Sequence, residues 1–94
     1  MINRIVKMTF KPENTDTFES LFLLVREKII AFEGCEGVKL LRDVNNPSIY
    51  FTYSLWHDEE SLNKYRKSAL FDDTWKKTKA LFSDKPEAWS LFEQ

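Results

Sequence analysis

Hydrophobic residues along this chain change period several times, and each change marks an element. Ile2, Val6, Met8 and Phe10 fall on one side of an alternating segment, broken by Arg4. Asn3, Lys7 and Thr9 fall on the other side, with Ile5 the exception. A period of two predicts a strand over residues 2–10, ended at Pro12, which has no amide proton to give a ladder. From Thr15 the period lengthens. Phe18, Leu21, Phe22, Val25, Ile29 and Phe32 recur at three- and four-residue steps, one face of an amphipathic helix over residues 15–32. Asn14 or Thr15 can cap its first amides, and Gly34 supplies the permissive backbone that ends it. Leu23, Leu24 and Ile30 widen the stripe beyond one core face and predict a second contact surface.

Gly37–Val44 reads as a second strand, Asn45–Pro47 as a turn, and Ser48–Trp56 as a third strand dense in aromatic and β-branched residues. The second and third strands are expected to form an antiparallel hairpin. In the third strand neither side is built for water: Ile49, Phe51, Tyr53 and Leu55 make one, Tyr50, Thr52, Ser54 and Trp56 the other. Asp58 has the chemistry of an N-cap, with Glu59 and Glu60 in a first turn that the helix dipole favours. Leu62, Tyr65 and Ala69 share a face of the helix that follows. Residues 69–82 continue as a broken or second helical piece in which Trp75, Thr78 and Phe82 align. Asp84–Pro86 ends it, and Glu87–Glu93 is a closing strand. The order β-α-β-β-α-β predicts an α+β fold of ferredoxin-like type: a four-stranded antiparallel sheet with its helices on one face. An aromatic-rich face left bare on residues 1–94, read as one domain, predicts a homodimer stacked sheet to sheet under two-fold symmetry.

Composition narrows the function classes. Eight Phe, three Trp and three Tyr in 94 residues are a heavy aromatic load for a short chain, which a dense core or a covering second copy would absorb. Lys and Arg number 14 against 15 Asp and Glu, interspersed, so no basic stripe for nucleic acid is expected, and Lys76–Lys79 reads as a solvated helix face. One cysteine and one histidine exclude an intrachain disulfide and leave zinc and iron–sulfur sites short of ligands, so no metal is expected. The alternating, charged N-terminus lacks the apolar core of a signal peptide. No run approaches the ~20 apolar residues of a membrane span, and a reducing cytoplasm is the expected compartment.

The segments IVKMTFKPEN, FEGCEGVKLLRD, FTYSLWHDEESLNKYRKSALF and KPEAWSL resemble the antibiotic biosynthesis monooxygenase domain family. The likeness rests on Lys11–Pro12 after the first strand and Gly34–Gly37 before the second. It rests further on Trp56 closing the third, Asp58–Glu60 as acidic cap, and the run from Tyr65 to Phe71. It covers essentially the whole chain. It implies a dimeric α+β barrel in which each protomer has an apolar cleft between sheet and helices. Relatives so resembled include cofactor-independent oxygenases of aromatic polyketides and quinols, haem-degrading enzymes and an isomerase of a sugar phosphate. The haem-degrading branch implies a ligating histidine at the position occupied here by Trp75, whose indole N–H only donates and cannot bind iron.

Candidate chemistry gathers around Trp56 and Tyr65. The resemblance puts Trp56 at the cleft, where an indole can donate to a substrate oxygen or line the wall. The Tyr65 phenol can donate or accept there. Tyr53, Phe71, Trp75 and His57 are expected pocket-lining residues. His57, the one imidazole of the chain, could act as a general base, but the run HDEE and its loop position favour a solvated residue beside the helix cap. One of Tyr50 and Tyr53 should face the cleft and the other the dimer seam. Cys35 lacks an activating partner in the sequence and reads as a small packed residue. Arg66 and Lys67 are expected to point to solvent. The function so implied is cofactor-independent oxygenation of a small aromatic, polyketide or quinol-like compound. The alternative is a non-catalytic or isomerase-type homodimer that binds a small apolar molecule.

Overall fold

The alternating first segment forms the inner strand of a sheet. In the computed structural model, which describes residues Met1–Gln94, β1 (Ile2–Thr9) lies between β3 (Ile49–Trp56) and β4 (Glu87–Leu91). β2 (Cys35–Arg42) pairs β3 on its other side, and all pairings are antiparallel in the order β2-β3-β1-β4. That is the ferredoxin-like α+β plan. Three helices accompany the sheet: α1 (Thr15–Ile30), α2 (Glu59–Arg66) and α3 (Ala69–Lys79). No helix is long and apolar enough to cross a membrane.

The register sorts side chains by face. Arg4 lies opposite Ser54, Val6 opposite Thr52 and Met8 opposite Tyr50, so the even-numbered positions of β1 and β3 share the helix side. The core is there: Ile2, Met8, Phe10, Tyr50 and Trp56 from the sheet meet Phe18, Phe22, Ile29 and Leu62 from the helices, all buried. Phe10 is the hub of the aromatic part, its ring 4.2 Å from Phe18, 5.6 Å from Tyr50 and 5.2 Å from Phe82 between centroids. Phe10 itself is outside the strand and forms an isolated bridge to Phe82, which fastens the end of β1 to the segment after α3.

The other sheet face carries no helix. Ile5, Leu41, Ile49, Phe51, Tyr53, Leu55, Trp89 and Leu91 lie on it by register. Leu41, Trp89 and Leu91 are 46%, 41% and 46% exposed, far above what a closed core leaves such residues.

Helix boundaries follow their caps. Asp58 Oδ1 accepts from the Ser61 amide at 2.8 Å, as its position predicts, and the helix dipole places Glu59 and Glu60 well. α2 stops at Arg66, because Ser68 starts a new helix by accepting from the Phe71 amide at 3.1 Å. The break turns Ala69 outward, so it does not share the buried face with Leu62 and Tyr65. Neither proposed cap of α1 operates. The chain enters through a 3-10 turn over Pro12–Asn14, the Asn14 side chain donates to the Leu81 carbonyl, and the Thr15 hydroxyl donates to the Pro12 carbonyl. On α1, Ile30 packs against the core, while Leu23 and Leu24 stand 70% and 76% exposed.

Candidate functional site

Between the helix side of the sheet and the three helices lies a cleft of about 330 Å³, near the lower end of ordinary ligand sites at roughly 300–1,000 Å³. Fourteen of its twenty-two lining residues are hydrophobic. The sheet supplies Arg4, Val6, Met8, Val38, Thr52, Ser54 and Trp56, and α1 supplies Leu21, Phe22 and Val25 among others. α2 and α3 contribute Tyr65, Arg66, Phe71, Thr74 and Trp75.

One wall is a run of aromatic rings. The Trp56 and Tyr65 rings stack at 4.8 Å, Phe71 meets Tyr65 edge-on at 5.3 Å, and Trp75 stacks on Phe71 at 5.9 Å. Helical spacing produces this line: Phe71 and Trp75 are four residues apart on α3, and Tyr65 is the last inward residue of α2. Such a wall suits flat apolar molecules, which stack on it without needing a specific hydrogen bond.

Four of the six site residues expected from the sequence therefore meet in the cleft: Trp56, Tyr65, Phe71 and Trp75. Two do not. Tyr53 lies on the helix-free sheet face, where its hydroxyl donates to Asn3 Oδ1 and the Lys39 ammonium sits 6.0 Å from its ring. His57 follows the last residue of β3 and is exposed, its amide donating to the Gly34 carbonyl at 2.7 Å. Tyr50 is on the helix side but buried beyond the cleft, donating to Glu19 with the Arg42 guanidinium 4.9 Å from its ring. Burial and the adjacent Glu19 push its phenol up to about 12.

The donors of the two central candidates are not free for a ligand's oxyanion in the same way. Trp56 is fully buried and its indole N–H donates to Ser54 Oγ at 2.9 Å, so what it offers the cleft is its ring. The Tyr65 phenol is pushed up to about 12, first by burial and then by the neighbouring Cys35. It stays protonated at neutral pH. Burial raises the Cys35 thiol as well, which leaves it a packed residue with a weak contact to the Gly37 carbonyl.

Polar groups not singled out from the sequence stand in the cleft instead. Arg4 projects into it from β1, its Nη1 donating to Ser90 Oγ at 3.0 Å. Arg66, expected in solvent, lines its rim. Thr74 Oγ1 is buried there with no hydrogen-bond partner. Arg4 left a signal in the sequence, since it interrupts the buried face of the first strand. Thr74 left none, because a threonine within a helix is ordinary until its surroundings are known. No cluster of three or more His, Cys, Asp or Glu is placed to hold a metal ion.

An α+β sheet half-covered by helices, with an aromatic-walled cleft beneath them, is the architecture the sequence resemblance implies. The sequence profile of the antibiotic biosynthesis monooxygenase family matches residues 1–77, and the chain belongs to that family. Among solved structures, a conserved protein from Methanosarcina mazei Go1 is 24% identical, with a TM-score of 0.94 over 99% of this chain and 92% of its own. An antibiotic biosynthesis monooxygenase is 19% identical, with a TM-score of 0.92 over 100% and 99% of the two chains. Rv0793 from Mycobacterium tuberculosis is 13% identical, with a TM-score of 0.90 over 99% and 94%. At these identities the likeness establishes a shared fold. None of the curated proteins matches the chain by sequence.

Proposed function

We propose that this chain is a cofactor-independent monooxygenase of a small aromatic or quinol-like compound, working as a homodimer stacked through its helix-free sheet faces. The observation that supports it is the aromatic-walled cleft of about 330 Å³ in a member of a monooxygenase family. The cleft lining contains no histidine, and its one carboxylate, Glu87, lies 4.0 Å from the Lys7 ammonium, so this reading takes a substrate acidic enough to lose its proton to water. An anthrone-type methylene flanked by a carbonyl-bearing ring system meets that need. Its carbanion gives an electron pair to dioxygen, a C–O bond forms, and the O–O bond then breaks with loss of water. In balance, one methylene and one dioxygen give one carbonyl and one water. The protein's share is to hold the ring against Tyr65, backed by the buried Trp56, keep the site dry and offer fixed donors to the developing negative charge. Tyr65 is the residue in contact with substrate in this reading, and the fully buried Trp56 backs its ring.

Oxygen uptake with 1,8-dihydroxyanthrone, without added flavin or metal, tests it. Uptake above the spontaneous rate, lowered by Trp56→Phe or Tyr65→Phe, is expected. Uptake at the spontaneous rate refutes it.

A second reading, a small-molecule binder or isomerase on the same scaffold, is favoured by the engagement of the Trp56 N–H with Ser54, which removes one donor from the chemistry. Ligand binding without oxygen uptake selects it. The dimer rests on the exposed Leu41, Trp89 and Leu91 beside Phe51 and Ile5. A stable contact of this kind buries roughly 1,200–2,000 Å².

A further inference from the structure

The cleft is apolar, yet two arginines face it. Arg4 occupies a position on β1 where the pattern Ile2, Val6, Met8 calls for another hydrophobic residue, opposite Ser54 on one neighbour and Ser90 on the other. A charge on the buried face of a strand is the informative exception to the burial rule. Its one side-chain partner is the neutral Ser90 hydroxyl, and a guanidinium has further N–H donors to place. None of the five ion pairs in the chain includes Arg4 or Arg66. The one carboxylate lining the cleft, Glu87, lies 4.0 Å from the Lys7 ammonium. Burial, and after it the Arg66 charge, hold the Arg4 guanidinium below its usual value. Both arginines border the same cleft, and no carboxylate is paired with either. On α3, the buried and unpartnered Thr74 Oγ1 marks the same cleft as short of one polar partner.

Building on the proposed aromatic ligand, we propose that the natural ligand of the cleft also carries a carboxylate, held by Arg4 and Arg66 while the apolar body rests on the Trp56–Tyr65–Phe71 wall. A planar carboxylate matches the fork of a guanidinium, and one negative charge between two arginines relieves their repulsion. A wholly apolar ligand would do the opposite. It would strip water from both guanidiniums and give nothing back. The acid is therefore selected over its neutral analogue by the cleft itself.

The test compares 2-naphthoate with 2-naphthalenemethanol at pH 7, the same ring with and without the charge, by titration of backbone amide NMR shifts in the full chain. In the native protein the acid should bind about tenfold or more tighter, the range for a charge-assisted contact. Arg4→Gln and Arg66→Gln should each shrink that ratio, by weakening the acid and relieving the cost of desolvating a guanidinium under the alcohol. Raising salt should shrink it too. The native ratio needs no variant, and Arg66 is exposed at the cleft rim, so a folding defect in Arg4→Gln does not blunt the test. An alcohol that binds as tightly as the acid overturns the carboxylate seat and leaves the aromatic cleft standing. A ratio unchanged in both variants overturns it as well. If neither compound binds, the cleft reading falls and this inference with it.

Discussion

Replacing Gly34 with alanine perturbs the joint that holds the aromatic wall in place. Gly34 has φ +86°, a left-handed conformation that an L side chain adopts at a cost of roughly 1–2 kcal/mol. A Cβ built there would lie 2.3 Å from the Ser61 Cβ, about 1 Å inside ordinary contact. Overpacking of this sort costs roughly 1–3 kcal/mol, because α2 must move away. The Gly34 carbonyl also accepts from the His57 amide at 2.7 Å, immediately after Trp56, so the exit of α1, the end of β3 and the start of α2 meet at this glycine. The sum for Gly34→Ala is roughly 2–5 kcal/mol, a large part of the ~5–15 kcal/mol that holds a domain together. Urea unfolding followed by tryptophan fluorescence measures it, run at two protein concentrations because association adds to apparent stability. Ser61→Gly, which by itself costs about 0.5 kcal/mol in helix propensity, removes the obstructing atoms. In the double variant the steric share should return, giving a coupling of roughly 1–3 kcal/mol while the φ penalty remains. A loss below about 1 kcal/mol in Gly34→Ala, or additivity within about 0.5 kcal/mol in the double-mutant cycle, refutes the reasoning.

The Tyr65 phenol lies near 12 in the folded chain against an ordinary 10, so the unfolded chain loses that proton first as pH rises. Stability from Tyr65 is complete below pH 10 and falls through the window from 10 to about 12, by up to about 3 kcal/mol, and Tyr65→Phe should unfold less steeply across it in alkaline urea titrations. Trp56→Phe leaves the Ser54 hydroxyl without its donor and a void where the indole lay, and should cost roughly 2–4 kcal/mol by chemical denaturation; a loss under about 1 kcal/mol would mean that the site repacks. Phe51→Arg puts a charge at the centre of the helix-free face and should convert the proposed dimer to a folded monomer in analytical ultracentrifugation at micromolar concentration. A native chain that already sediments as a monomer at that concentration removes the dimer.

The tyrosines of β3 show where the pattern stops. Alternation separated Tyr50 from Tyr53 onto opposite faces of a strand, but it does not say which face the helices cover or how far along the strand the cleft extends. Tyr53 went to the helix-free side, and Tyr50 to a closed part of the core beside Glu19. His57 follows β3 and is exposed at the chain reversal into Asp58, as the run HDEE favours. By contrast, Ser54 and Trp56, two residues apart on one strand, were bound to share a face, and the bond between them was within reach of the pattern alone.

The sequence by itself determined the element order, the antiparallel hairpin and the Asp58 cap, because these depend on local period, local backbone preference and side chains a few residues apart. The Arg4 interruption was also visible there, as a break without a reason. Tertiary structure alone decided that Arg4 and Arg66, far apart in the chain, face one cavity, that Thr74 is buried there unpaired, and that the donor of Trp56 is engaged within the fold. Burial and electrostatic environment are sums over residues brought together from distant parts of the chain, and a one-dimensional pattern carries no record of those distances.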